Sequence, residues 1–197
     1  MVKLLVATHN QGKLSEYRAL LPGSDVEVVS LATLGIDDEI NETGSSFHEN
    51  AYLKACGYSD LSGMTTLSDD SGLEVDALDG SPGIYSARYG DGLCVSDQDR
   101  VELLLKNLIE VPWDKRTARF RCVIAICKDN VLIASVVGSI AGMIQYRPHG
   151  ENGFGYDPVF YLPSHKKTLA QLNVEDKNLI SHRSDALRKV SYAISCL

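Results

Sequence analysis

The chain is predicted to fold as an α/β protein on a mixed sheet. Two observations carry this. Short β-rich apolar runs alternate with helical-period segments near the start, which is a βαβ order. Farther on, one long β-rich stretch carries a turn signal near its middle, which is an antiparallel order.

The elements follow in turn. "KLLVAT" is short, continuous and β-rich, as a buried first strand is. "HNQGK" is a polar turn containing Gly12. "KLSEYRALL" places Leu14, Tyr17, Leu20 and Leu21 at helical spacing, and Pro22 with Gly23 is expected to stop that helix. "VEVVSL" is a second strand, followed by a polar, acidic loop from Gly35 to Ser46. "FHENAYLKACGYSDL" is a helix, with Ser45 or Ser46 as its N-cap and Glu49 nearby. "TTLSDD" is a strand expected to give way to a turn, with "LEVDAL" a candidate further strand. "DGSPGIYSARYGDG" is rich in turn residues, but its aromatics and arginine set it apart from a plain linker. "DQDRVELLLKNL" is an amphipathic helix. "RTARFRCVIAICKDNVLIASVVGSIAGMI" is a long hairpin turning near Lys128–Asn130. "GENGFGYDPVFYL" is a Gly-rich loop entering a strand with Pro158 at its edge, and "SHRSDALRKVSYAISCL" is a closing helix. There is no internal repeat, low-complexity tract or interdomain linker.

A length of 197 residues suits one domain, or one domain with two lobes. A formal net charge of −7 argues against broad adhesion to nucleic acid or to an anionic membrane. It leaves room for a local basic pocket. The five cysteines form no CxxC pair and have no histidine partners at zinc spacing, so a structural zinc site is not expected. Their scatter suits reduced thiols. The apolar run in "MVKLLVATHN" is too short for a signal peptide, and no stretch is long enough to span a bilayer. A cytoplasmic protein is expected.

Four places can carry chemistry. In "THNQGK" a strand, a glycine turn and a helix start form an anion site, with Thr8 and Asn10 as hydrogen-bond donors and Lys13 as a cation. The alternative is a plain strand–helix turn, since the P-loop spacing is absent. In "NETGSSFHENAYLKA" Glu42 is a candidate metal ligand and Lys54 a second phosphate contact. A capped helix with surface charges explains the same residues. In "TLSDDSGLEV" Asp69 and Asp70 are either a solvated acidic turn or a cation and water site. Finally, in "GFGYDP" and "KNLISHR" Phe154 can stack on a planar ring, while Asp157, Lys177, His182 and Arg183 offer hydrogen bonds of both polarities. The histidines His48, His149 and His165 lack partner spacing and are read as structural or solvated.

Taken together and in this order, "ATHNQGK", "ETGSSFHENAYLKA", "LSDDSGLEVDALDGSPGIYSARY", "ARFRCVIAI", "GFGYDPVF" and "SHRSDAL" resemble the inosine triphosphate pyrophosphatase family, the house-cleaning hydrolases for non-standard purine nucleotides. The resemblance spans nearly the whole chain. It implies an elongated mixed sheet with flanking helices, in two lobes around a central cleft, forming a single domain over residues 1–197. It implies a Mg²⁺-dependent homodimer that cleaves ITP, dITP and XTP between the α- and β-phosphates, with no nucleic-acid or membrane partner.

Carried onto this chain, the resemblance gives phosphate contacts to Thr8, His9, Asn10, Gln11, Gly12 and Lys13, with Lys54 assisting. It gives the metal to Glu42 and Asp70, general-base catalysis to Asp70, and a substrate contact to Ser71. It gives base recognition to Phe154, Gly155, Tyr156, Asp157, Lys177, His182 and Arg183. Donors from the His182–Arg183 segment would meet the C6 oxygen of hypoxanthine or xanthine, where adenine carries an amino group. Some relatives have two adjacent acids before the Thr-Gly pair; here the first of those positions is Asn41. Whether Asp69 or Asp70 is the base stays open at the level of sequence. Two other functions stay open as well: a pyrophosphatase for modified pyrimidine nucleotides, and a nucleotide-binding module without turnover.

Overall fold

A computed structural model describes residues 2–21 and 26–196. Among them the strands are β1 (Val2–Val6), β2 (Val26–Ser30), β3 (Thr66–Val75), β4 (Thr117–Lys128), β5 (Val131–Ile144), β6 (Phe160–Leu162) and β7 (Lys167–Thr168). The helices are α1 (Gln11–Leu20), α2 (Phe47–Ser62), α3 (Asp97–Asn107), α4 (Val174–Ile180) and α5 (His182–Ser195). The strands form one mixed sheet in the order β2-β1-β3-β4-β5-β6-β7. β1 pairs in parallel with β2 and β3, whereas β6 pairs antiparallel with β5 and β7. No helix among the described residues is long and apolar enough to cross a membrane.

The chain divides into two compact units. One comprises Met1–Asp70, Cys122–Gly138 and His182–Leu197; the other comprises Ser71–Arg121 and Ser139–Ser181.

In the first unit β1 is buried on both faces, as a parallel strand between neighbours must be. Leu4 and Val6 point to one side, where they meet Leu14 and Tyr17 of α1, Ile124 and Ile126 of β4, and Ala186, Leu187, Val190 and Ile194 of α5. The α5 residues follow helical spacing and form one apolar stripe. Leu5 and Ala7 point to the other side, with Val29, Leu31 and Tyr58 of α2. The alternation of β1 thus places α1 and α5 on one face and α2 on the other. The second unit has its own core, in which Leu73, Leu104, Phe120, Val159, Phe160 and Leu169 are buried together.

Several expectations are corrected. "TTLSDD" and "LEVDAL" are not separated by a turn. β3 runs unbroken from Thr66 to Val75, and the chain then enters a 3-10 turn at Asp76–Leu78. Burial on both faces keeps the strand going through Ser71 and Gly72, whose composition signals a turn. The expected stop at Pro22 and Gly23 lies outside the described residues. The hairpin is found as expected, with Asp129 and Asn130 at φ +50 and +60 between β4 and β5. Two left-handed residues in a two-residue loop match the twist of antiparallel strands. The short helix α4, capped by Asn173 with Glu175 and Asp176 in its first turn, was not expected from the sequence.

The cysteines are also corrected. Cys56 of α2 and Cys127 of β4 form a disulfide, with Cα atoms 5.1 Å apart. The two are 71 residues apart in sequence, so only the packing of α2 on the sheet brings them together. Cys94, Cys122 and Cys196 are free thiols.

Candidate functional site

The polar centre of the first unit is assembled around β3. Alternation along the strand turns Asp69 and Asp70 to opposite faces. Asp69 faces α1 and α5. Its Oδ2 lies 3.0 Å from Lys13 Nζ and 3.6 Å from Arg183 Nε. Arg183 is also ion-paired with Glu16 and stands 5.9 Å from the Tyr17 ring centroid. Burial opposes the charge on Asp69, but Lys13 and Arg183 outweigh it and hold this carboxyl well below the usual carboxylate range. The same surroundings keep Arg183 protonated and push the buried Tyr17 hydroxyl and Cys122 thiol up.

Asp70 faces α2. Its Oδ2 accepts from Asn50 Nδ2 at 3.2 Å, and its Oδ1 lies 3.6 Å from Lys54 Nζ. Lys54 also donates to Glu42 Oε1. Burial raises the Asp70 carboxyl above its ordinary range; Lys54 and Lys13 work against that rise, while Glu42 adds to it. Lys54 itself is raised: the negative charge of Asp70, Asp69 and Glu42 outweighs its own desolvation. Two adjacent carboxyls are therefore pushed in opposite directions. One is a permanent anion that neutralises lysine and arginine. The other is held by Asn50 and Lys54, and its burial makes it the more basic of the two.

The loop between β1 and α1 ends in a capped helix. Asn10 is the N-cap, its Oδ1 accepting from Lys13 N at 3.0 Å, and its own N–H donates to Thr8 Oγ1 at 3.2 Å. Gln11 and Gly12 open the helix. His9 Nε2 lies 3.1 Å from Tyr58 Oη, which donates to the Asp38 carbonyl at 3.0 Å. The cap takes up the Lys13 N–H, and the positive end of the α1 dipole lies at this loop, while the Lys13 ammonium reaches Asp69. Ser46 is the N-cap of α2, accepting from Glu49 N, while Glu49 Oε2 accepts from Ser45 N at 2.6 Å.

Glu42 and Asp70 offer oxygen atoms only, and both carboxylates are drawn to the Lys54 ammonium. That donor set fits Mg²⁺, which is held by one or two carboxylates with water and phosphate oxygens completing its shell. Among the described residues no group of three or more His, Cys, Asp and Glu side chains is arranged to hold a metal ion.

The second unit holds its own polar group. Asp157 Oδ2 accepts from Phe154 N at 3.0 Å and from Lys177 Nζ at 2.6 Å. Lys177 Nζ lies 4.9 Å from the Phe154 ring centroid. Gly153 has φ +78, and a Cβ there would strike the Asp157 carboxylate, so the loop closes only around glycine. Gly155 N donates to Asp97 Oδ2 at 2.8 Å, at the first turn of α3. Tyr156 is buried and donates to the Ser86 carbonyl at 2.9 Å.

The expected residues thus fall into two groups. Thr8–Lys13, Glu42, Lys54, Asp70, His182 and Arg183 belong to the first unit; Ser71, Phe154–Asp157 and Lys177 belong to the second. His182 and Arg183 are both buried at the start of α5. Sequence reasoning missed Glu16 and Asn50. The signal for Asn50 was its place one helical turn before Lys54.

A mixed sheet with a parallel β2-β1-β3 side, flanked by helices and carrying two lysine-paired aspartates on opposite faces of β3, defines an α/β protein with a charged centre on that strand. The chain belongs to the Ham1 family, whose model matches residues 4–193. It is 45% identical over 190 residues to the dITP/XTP pyrophosphatase of Halalkalibacterium halodurans, covering 96% of this chain and 97% of that relative. It is 48% identical over 188 residues to the dITP/XTP pyrophosphatase of Desulforamulus reducens, covering 95% and 93%. The structure of a HAM1 protein from Coxiella burnetii matches all of both chains, with a TM-score of 0.89 at 36% identity.

Proposed function

We propose that this protein hydrolyses non-standard purine nucleoside triphosphates, dITP, ITP and XTP, to the monophosphate and pyrophosphate, with Mg²⁺ as its cofactor. The observation that carries the proposal is nearly full-length similarity to relatives named for that activity, joined to the placement of Asp69 against Lys13 and Arg183 and of Asp70 against Asn50 and Lys54. Water attacks the α-phosphorus, the bond from that phosphorus to the bridging oxygen breaks, and pyrophosphate leaves.

Asp70 takes the proton of the attacking water, a role its raised basicity suits. Lys13 and Lys54 place fixed positive charge where the leaving group gathers negative charge. Asp69 holds Lys13 and Arg183 in place. The cap of α1 and the groups of Thr8–Lys13 hold phosphate oxygens. Glu42 and Asp70 would hold Mg²⁺, which when bound would offset charge on the phosphate oxygens.

Base recognition is assigned, following the family resemblance, to Phe154 as a stacking platform, to Gly155, Tyr156, Asp157 and Lys177, and to His182 and Arg183, with Ser71 as a further substrate contact. The ion pairs of Arg183 with Glu16 and Asp69 fix the start of α5. A homodimer, a two-lobed single domain with a central cleft, and cytoplasmic residence follow the family resemblance.

The test is pyrophosphate release from dITP, ITP, XTP, dUTP, GTP and ATP, with and without Mg²⁺. The proposal expects Mg²⁺-dependent release from the first three far above the rest. Preference for dUTP would favour a pyrimidine enzyme. Binding without release would favour a non-catalytic module.

A further inference from the structure

We propose that Asn50 is a positioning residue for the catalytic carboxylate, fixing Asp70 and the Glu42 loop with a single side-chain amide. The inference rests on the proposed hydrolase reading and adds a residue to it.

Asn50 is fully buried on α2. Its Oδ1 lies 2.9 Å from Gly44 N, and its Nδ2 lies 3.2 Å from Asp70 Oδ2. A backbone N–H can only donate, so the atom facing Gly44 must be the oxygen. The amide orientation is thereby settled, and the –NH₂ group is turned to Asp70. Gly44 sits hard against this residue: a Cβ there would lie 2.7 Å from Asn50 Oδ1 and 2.6 Å from Glu49 Cβ. The loop is thus seated closely on the first turns of α2.

Lys54 lies four residues on, on the same helix face. It reaches the other oxygen of Asp70 and also binds Glu42. The two α2 side chains grip the two Asp70 oxygens, and each is tied to the same loop, Asn50 at Gly44 and Lys54 at Glu42. Lys54 supplies charge on a flexible stem. Asn50 supplies direction, because its planar amide is locked at both ends. It holds the carboxylate plane of Asp70 relative to Glu42, which sets the geometry for a shared cation and for the attacking water.

Asn50→Asp tests this. It keeps the side-chain shape and the acceptor for Gly44 N–H, and it replaces the neutral donor to Asp70 with a second carboxyl, which repels Asp70 when ionised and competes with it for a proton. The expected result is a fall in kcat on dITP of about 10- to 100-fold, as for loss of a hydrogen bond to a charged group, with a smaller change in KM, because Asn50 touches Asp70 and Gly44. A folded Asn50→Asp protein with kcat within about twofold of the parent, or a loss confined to KM, would overturn the proposal.

A second measurement uses the natural side chain and does not depend on that variant folding. The ¹⁵N–¹H signals of the Asn50 amide should move when Mg²⁺ is added without nucleotide, and again in Asp70→Asn. Signals unmoved in both experiments would equally overturn it. Should the parent protein hydrolyse no dITP, the hydrolase reading fails while the amide signals still report the Asn50–Asp70 contact, so the two failures are distinguishable.

Discussion

Asp69 and Asp70 are consecutive in β3, yet one carboxylate lies 3.0 Å from Lys13 Nζ and the other 3.2 Å from Asn50 Nδ2, on opposite faces of the strand. Their replacement by asparagine should have opposite effects on stability. Asp69 has a depressed folded pKa, so its stabilisation is present above the unfolded value of about 4 and is lost as pH falls through the carboxylate range. Asp69→Asn should cost about 3–5 kcal/mol at neutral pH, because it leaves Lys13 and Arg183 under-compensated. That cost should shrink in acid. Asp70 has a raised folded pKa, so its charged form lowers stability at neutral pH, and protonation relieves this as pH falls through the folded value. Asp70→Asn should therefore raise the melting midpoint in metal-free buffer while lowering turnover about 10³-fold. Calorimetric melts of both variants across pH, beside kcat on dITP, check the pair. A midpoint lowered by Asp70→Asn would contradict the assignment.

Lys54 joins Glu42 to Asp70 as an internal cation. Lys54→Gln should lower kcat by about 10²-fold, since a fixed charge on the leaving group is lost. It should at the same time tighten Mg²⁺ binding in the absence of nucleotide, because an ammonium no longer competes for the two carboxylates. Isothermal calorimetry with Mg²⁺ alone separates the two effects. Weaker metal binding in the variant would remove Glu42 and Asp70 from the cation site.

The parts of this fold that a linear pattern can hold were legible. The βαβ start rests on Leu4, Val6, Leu14 and Tyr17, whose spacing names both the element and its buried face. The β4–β5 hairpin rests on Asp129 and Asn130 between two apolar runs. Partnerships across long separations were not legible. Nothing near Arg183 in sequence announces Glu16, 167 residues away, and nothing near Cys56 announces Cys127. The same holds for the division of labour between the paired aspartates. It comes from which face of a strand each occupies, and the Ser-Gly that follows suggested a turn where the strand in fact continues.

In the second unit the Phe154 ring carries Lys177 Nζ at 4.9 Å, and Asp157 fixes both the Phe154 backbone and that ammonium. The ring is thus presented by a loop tied down through Asp157 and through Gly155 N–H to Asp97. If it stacks on the purine, Phe154→Ala should raise KM for dITP by about tenfold or more, the usual worth of an aromatic platform under a base. kcat should stay within about threefold, because the ring contacts ground state and transition state alike. Steady-state kinetics with dITP and XTP measure this. An unchanged KM would place the base elsewhere.

The disulfide between Cys56 and Cys127 closes a loop of 71 residues that contains β3 and the helical turns leading to β4. It ties α2, which carries Asn50 and Lys54, to the sheet. Cross-linking restricts the unfolded chain, so reduction should lower stability by about 2–4 kcal/mol. For a chain of this size that corresponds to a fall in melting midpoint of about 5–15 °C. Cys56→Ser and Cys127→Ser should each reproduce the fall and abolish any further effect of dithiothreitol, while Cys196→Ser, at an exposed free thiol, should change neither. Thiol counting by mass spectrometry on unreduced protein gives the direct readout: three alkylated cysteines with the bridge intact, against five without it. If five are alkylated before reductant is added, Cys56 and Cys127 pack as thiols, and the melting midpoint should then ignore dithiothreitol altogether.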